Sequence, residues 1–245
     1  VVGVVTVPDK PAGRGKKMKM SAVKQFAVKN NLNILQPIKL KDDVFIEKLR
    51  NLKADLFIVV AFRMLPEIIW SMPKYGTFNL HASLLPDYRG AAPINWAIIN
   101  GEKETGVTSF FLDKNIDTGK IILSQKINIA DDDNAGDLHD KLMLLGADTV
   151  IKTVEAIIDD NYTLTSQKDF IDKSSVLKKA PKIFKDDCRI VWQNSADEIY
   201  DFVRGLSPYP AAYTYLVSPE NKKYYLKVFK VKKELLKNIF FKHNI

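Results

Sequence analysis

Phe78-Asn79-Leu80-His81-Ala82-Ser83-Leu84-Leu85-Pro86, residues 78–86, is the stretch on which the reading of the chain turns. Residues 76–81 read as a strand, where side chains two apart share a face, so Asn79 and His81 point the same way at the strand's carboxyl end. An amide there can donate to a developing oxyanion while the imidazole beside it exchanges a proton. The loop Asp87-Tyr88-Arg89-Gly90-Ala91-Ala92-Pro93 follows that strand. A second polar turn, Asp113-Lys114-Asn115-Ile116-Asp117-Thr118-Gly119, follows the strand expected over residues 106–112, and Asp117 is the carboxylate expected to reach the imidazole.

Working outward, residues 1–6 read as a short apolar strand and residues 21–30 as a helix. Asp42 or Asp43 caps a helix whose apolar face is Val44, Ile46, Leu49 and Leu52, and residues 56–61 form a continuous apolar run expected to be a buried strand. Pro66 opens a short helix to about residue 71, and residues 92–100 form another. Strands alternating with helices over short connections predict an α/β fold, a doubly wound, mostly parallel sheet with its site at the carboxyl ends of the strands. Residues 107–112 and 121–129 are two further strands; Asn134 then precedes a long helix to about residue 160, with Leu138, Leu142, Leu145, Val150 and Ile157 on its apolar face.

Residues 161–189 read as a polar connecting stretch. Ser195 and Glu198 have capping-box spacing and open a helix to Arg204, after which Pro208-Tyr209-Pro210 breaks the chain. Alternating Tyr213, Tyr215 and Val217, a turn at Ser218-Pro219-Glu220-Asn221 and the run 224–231 predict a hairpin that begins a small β-barrel. The expected domains are therefore residues 1–160, a linker over 161–189, and an incomplete barrel-like domain over 190–245.

A chain of 245 residues with 46% hydrophobic content suits one large core plus a smaller module. Of the formal net charge of +8, residues 181–245 contribute +5, from 12 Lys and Arg against 7 Asp and Glu, which suits a polyanionic partner. Five positive charges also crowd residues 8–19, at Lys10, Arg14, Lys16, Lys17 and Lys19, in a loop whose Pro and Gly disfavour helix and strand. Such a loop can follow a phosphate backbone and become ordered on contact. Cys188 is the only cysteine, so an intrachain disulfide is excluded and a reducing, cytoplasmic setting is expected. No apolar run approaches the roughly 20 residues that span a bilayer, so no membrane association is expected. The acidic run Asp131-Asp132-Asp133 precedes a helix start, where negative charge is favourable without a metal, and none is expected.

The string NLHASLLPDYRGAAPINWAIINGEKETGV at 79–107, followed by DTGKII at 117–122, resembles the folate-dependent formyltransferases. VVGVVTVPDKPAGRGKK at 1–17 resembles the strand and basic loop of the branch acting on methionyl-tRNA, and the similarity extends over about residues 1–226. The resemblance implies that a formyl group moves from 10-formyltetrahydrofolate to the amino group of methionine on initiator tRNA. It implies catalytic roles for Asn79, His81 and Asp117, and a tetrahydrofolate site that includes Ser83, Leu84, Leu85 and Pro86. An apolar slot for the pteridine is expected from Phe62, Met64 and Leu65. The basic loop is expected to enter the tRNA acceptor stem. His81 as imidazolium would stabilise the oxyanion and protonate the folate nitrogen, with Asp117 orienting it and raising its pKa. The residues alone leave open whether an Asp receives the amine proton instead.

Ser83, His81 and Asp117 are also the residue types of a hydrolase triad, yet no Gly-x-Ser-x-Gly elbow surrounds Ser83. Formyl transfer to a sugar nucleotide or glycinamide ribotide, formyltetrahydrofolate hydrolysis, and a non-catalytic RNA-binding role stand as alternatives. The basic loop favours tRNA, since small substrates have no need of it. A monomer is expected. The chain opens on Val1 without Met, and the family ordinarily begins with another strand and helix, so a fragment at both ends is expected.

Overall fold

A computed structural model of the chain describes residues 1–12, 17–61, 63–171 and 176–234. The chain forms two compact units, Val1–Asn79 with Phe111–Asn115, and Leu80–Phe110 with Ile116–Ile245. The first carries β1 (Val4–Val5), β2 (Lys10–Ala12), β3 (Lys17–Lys19), α1 (Ala22–Lys29), β4 (Ile34–Leu35), α2 (Asp43–Asn51), β5 (Phe57–Val60), α3 (Glu67–Trp70) and the start of β6 (Thr77–His81). β1 and β4 pair in parallel. Ser21 and Asp42 cap α1 and α2, each side-chain oxygen accepting the N–H three residues on, at 3.1 and 3.0 Å. Leu40, Phe45, Ile46, Leu49 and Ile69 form the core of this unit, with Val5, Leu35 and Phe57 packed on it.

Three expectations are corrected here. Val44 is exposed and Phe45 buried, because helical periodicity puts Phe45 and Ile46 beside Leu49 and leaves Val44 on the far side. β5 is not buried on both faces: Ile58 and Val60 are about half exposed while Phe57 faces the core, the alternation that a pleated strand imposes. The basic segment is not simply a loop. β2 and β3 pair antiparallel, Lys10 opposite Lys19 and Ala12 opposite Lys17, which pairs backbone groups that a loop would leave to water. Residues 13–16 lie outside the described residues.

The second unit continues with β7 (Arg89–Gly90), α4 (Pro93–Ile99), β8 (Glu104–Phe111), β9 (Ile121–Asn128), α5 (Ala135–Ile158), β10 (Lys179–Ala180), α6 (Ala196–Leu206), β11 (Ala212–Val217) and β12 (Lys223–Val228). The main sheet has the order β5-β6-β8-β9. β9 runs antiparallel to β8, so the doubly wound α/β fold has a mixed sheet. Asn134 caps α5 in a capping box with Asp137, and Ser195 caps α6 in one with Glu198. β11 and β12 form the expected antiparallel hairpin.

The face of α5 differs in part from expectation. Leu138, Leu142 and Ile157 are buried, whereas Leu145 and Val150 are only partly so, and Gly146, Thr149 and Thr153 complete the buried seam. Gly146 admits the Leu80 side chain, since a Cβ there would lie 2.8 Å from Leu80 Cδ2. Thr153 meets the Ser109 hydroxyl at 2.8 Å. Small and hydroxylated residues let the helix approach the sheet closely, a signal that a count of large apolar residues misses.

The connecting stretch is also more structured than expected. It contains a 3-10 turn at Gln167–Phe170, and β10 pairs in parallel with β7, Lys179 with Arg89 and Ala180 with Gly90. Gly90 makes the pairing possible: its φ is +126°, and a Cβ there would stand 2.3 Å from the Ala180 carbonyl oxygen. Gly90→Ala is therefore expected to lower unfolding stability by about 2 kcal/mol or more, read as a fall in urea midpoint at unchanged m-value. A midpoint equal to wild type would contradict the close approach.

Candidate active site

β6 ends on His81, and the chain turns back at once. The Thr108 hydroxyl on β8 donates to the Ser83 carbonyl at 2.7 Å and accepts the Leu85 N–H at 3.2 Å, while the Ser83 hydroxyl donates to the Asp87 carbonyl at 2.7 Å. The turn returns Tyr88 to His81, whose Nε2 lies 2.8 Å from the Tyr88 carbonyl oxygen. That oxygen can only accept, so Nε2 carries a proton, and in the neutral ring Nδ1 keeps the lone pair. Nδ1 lies 4.0 Å from Asp117 Oδ2, and His81 is only 7% exposed.

Tyr88 holds its carbonyl in place through both backbone and ring. Its φ of +59° is unusual for a bulky residue, and its N–H donates to the Lys178 carbonyl at 2.7 Å. The buried hydroxyl donates to Glu102 Oε1 at 2.5 Å and accepts from Asn100 Nδ2 at 3.1 Å, and Lys178 pairs with the same carboxylate. Burial, then the Glu102 carboxylate, push the Tyr88 pKa well above the ordinary tyrosine range, so the hydroxyl stays protonated and donating.

Asp117 sits in a turn with φ of +54°, and its Oδ2 accepts the Gly90 N–H at 3.1 Å. Gln167, 2% exposed, donates to the Asp117 and Gly119 carbonyls at 2.9 and 2.8 Å and accepts from Arg89 Nε and Nη2 at 2.9 and 2.5 Å.

The structure thus brings His81 and Asp117 together. At 4.0 Å their contact is beyond a hydrogen bond, so the ring is oriented by the Tyr88 carbonyl rather than by Asp117. Asn79 stands two residues before His81 on β6, at the end of the first unit, and its Oδ1 is buried without a hydrogen-bond partner among the described residues. Ser83 is fully buried with its hydroxyl committed to Asp87, which leaves no triad with His81. Leu85 and Pro86 are buried and Leu84 partly so. Met64 is exposed and Leu65 half-buried, both in the first unit; Phe62 lies outside the described residues. Lys10 and Lys19 are exposed on the hairpin, while Arg14 and Lys16 lie outside the described residues. Asp131 pairs with Lys103 at 2.7 Å, and Asp133 pairs with Lys141 at 2.6 Å while capping the Ala130 N–H.

Sequence reasoning missed Tyr88 and Gln167 as parts of this arrangement. Tyr88 lies in a quoted turn, but a backbone carbonyl leaves no side-chain signature. Gln167 is one polar residue among many in a polar stretch.

Residues 1–154 match the sequence profile described as formyl transferase, and residues 182–238 that of the formyl transferase C-terminal domain. The chain belongs to the formyl transferase family. Among its relatives, methionyl-tRNA formyltransferase of Bacteroides thetaiotaomicron is 58% identical over 95% of this chain and 72% of that protein. Among solved structures, a 4-N formyltransferase from Francisella tularensis has a TM-score of 0.63 at 21% identity, covering 86% of this chain and 84% of that one. HypX from Aquifex aeolicus, solved in complex with tetrahydrofolic acid, has a TM-score of 0.62 at 18% identity, covering 80% of this chain and 33% of that one. These two likenesses carry the fold of this formyltransferase.

The Tyr88 arrangement makes a pH prediction. A pKa raised on folding means that the unfolded chain loses this proton first, so the stability from Tyr88 is whole below about pH 10, the unfolded value, and declines above it. The stability difference between wild type and Tyr88→Phe, from urea unfolding, is expected to be constant from pH 7 to about 9.5 and to shift against wild type above about pH 10. A difference that stays flat above pH 10 would contradict the assignment.

Proposed function

We propose that this chain transfers a formyl group from 10-formyltetrahydrofolate to the amino group of methionyl initiator tRNA, in translation initiation in the cytoplasm. The observation that carries this reading is the 58% identity to methionyl-tRNA formyltransferase over 95% of the chain. The paired lysines of the β2–β3 hairpin support it, since Lys10 opposite Lys19 is a like-charge pair that an approaching phosphate backbone would relieve.

The chemistry requires an amine to bond to the formyl carbon, the bond from that carbon to folate nitrogen to break, and a proton to pass from amine to folate. In our reading the Asn79 amide donates to the formyl oxygen as negative charge grows there. His81 Nδ1, the ring nitrogen not committed to Tyr88, accepts the amine proton and returns it to the folate nitrogen. Asp117, on the Nδ1 side, offsets the charge of the imidazolium that forms between those steps. The segment Ser83-Leu84-Leu85-Pro86 contributes to the tetrahydrofolate site through its backbone, its one hydroxyl being engaged internally. Met64 and Leu65 are proposed to offer apolar surface to the pteridine.

Two experiments test this reading. With charged initiator tRNA and 10-formyltetrahydrofolate, wild type is expected to yield N-formylmethionine, and His81→Ala or Asn79→Ala to lower turnover by about a hundredfold or more. Turnover within about threefold of wild type would overturn the roles. Charge reversal at Arg14, Lys16 and Lys17 is expected to raise the tRNA KM about tenfold and flatten its salt dependence, with the folate KM unchanged. An unaltered tRNA KM would remove the hairpin from tRNA binding.

A further inference from the structure

Gln167 belongs to the segment between the residues matching the two family profiles, yet it is more deeply buried than any neighbour in its turn. Its amide uses its full capacity. Carbonyl oxygens cannot donate and a guanidinium cannot accept, so Nε2 must face Asp117 and Gly119 and Oε1 must face Arg89, with no alternative flip.

These bonds close a ring. Gln167 holds the backbone carbonyl of Asp117; Arg89 holds Gln167; Gly90, bonded to Arg89, holds the Asp117 carboxylate through its N–H. Asp117 is thereby fixed at both ends, in a left-handed backbone conformation that L residues seldom adopt without support. The pairing of β7 with β10 braces the Arg89-Gly90 side of the ring from the same connecting segment.

We infer that Gln167 is a positioning residue for the reaction: it acts through Asp117, holding that carboxylate at its distance from His81 Nδ1. The inference rests on the catalytic role assigned to Asp117 under Proposed function. Without the Gln167 amide the Asp117 and Gly119 carbonyls lose their donor, and the turn relaxes toward ordinary backbone angles. Arg89 is released at the same time. The carboxylate then samples positions that do not face the imidazole, and the reacting step slows while both substrates bind as before.

A double-mutant cycle on the full chain tests this, using Gln167→Met, Asp117→Asn and the pair, in steady-state assays with formyl donor and charged initiator tRNA. Gln167→Met is expected to lower kcat about tenfold to a hundredfold, with both KM values within about twofold, the usual effect of removing a group that orients a catalytic one. In the Asp117→Asn background the same change is expected to cost less than about twofold, because its route of action is already gone. An equal cost in both backgrounds would show a merely structural role and overturn the inference, as would wild-type kcat in Gln167→Met. Near wild-type activity of Asp117→Asn alone would overturn the role of Asp117, and this inference with it. If circular dichroism shows that Gln167→Met does not fold, Gln167→Glu serves in the same cycle. It keeps the acceptor for Arg89 and removes both donors, and the same two outcomes decide.

Discussion

A carbonyl oxygen accepts and never donates, and that of Tyr88 stands 2.8 Å from Nε2 of a buried histidine. This one contact assigns the tautomer of His81, and with it the ring nitrogen left for proton exchange. The chemistry proposed for the site depends on that assignment, because only Nδ1 faces Asp117. The hydrogen bond lasts only while Tyr88 keeps its left-handed backbone, and that backbone is secured at the ring by Glu102 and Asn100 and at the N–H by Lys178.

The pieces that secure the site come from distant parts of the chain. Asn100 and Glu102 follow α4, Lys178 precedes β10, and Gln167 comes from a short 3-10 turn between α5 and Lys178. Residues 161–189 thus supply a strand partner for Arg89-Gly90, a carbonyl for Tyr88 and an amide for the Asp117 turn. A segment of this composition reads as a tether, but here its backbone and side chains satisfy polar groups around a buried imidazole that would otherwise be left unpaired.

How much of this was legible in the sequence depended on the kind of signal each feature leaves. Helix starts were legible because a cap is a local matter: Asp42 and Ser195 cap the helices expected of them, and Ser21 and Asn134 cap helices expected to begin beside them. Strands β6, β8 and β9 fell where apolar runs placed them, and the DTGKII and NLHASLLPDYRG strings carried the family. What failed involved partners far away in sequence. Pairing of β2 with β3 overrode the Pro and Gly content of the basic segment, and Gly146, Thr149 and Thr153 gave α5 a close-packed seam without large side chains. The 4.0 Å separation of His81 and Asp117 was equally out of reach, since it is set by bonds from Gly90 and Gln167.

The tautomer of His81 can be observed directly. In protein labelled with 15N at histidine, with the His81 ring resonances identified by comparison with His81→Gln, the neutral ring is expected to show its bonded proton at Nε2 and an unprotonated Nδ1. A neutral His81 protonated at Nδ1 would mean that the Tyr88 carbonyl does not hold the ring, and the account of the site would fail with it.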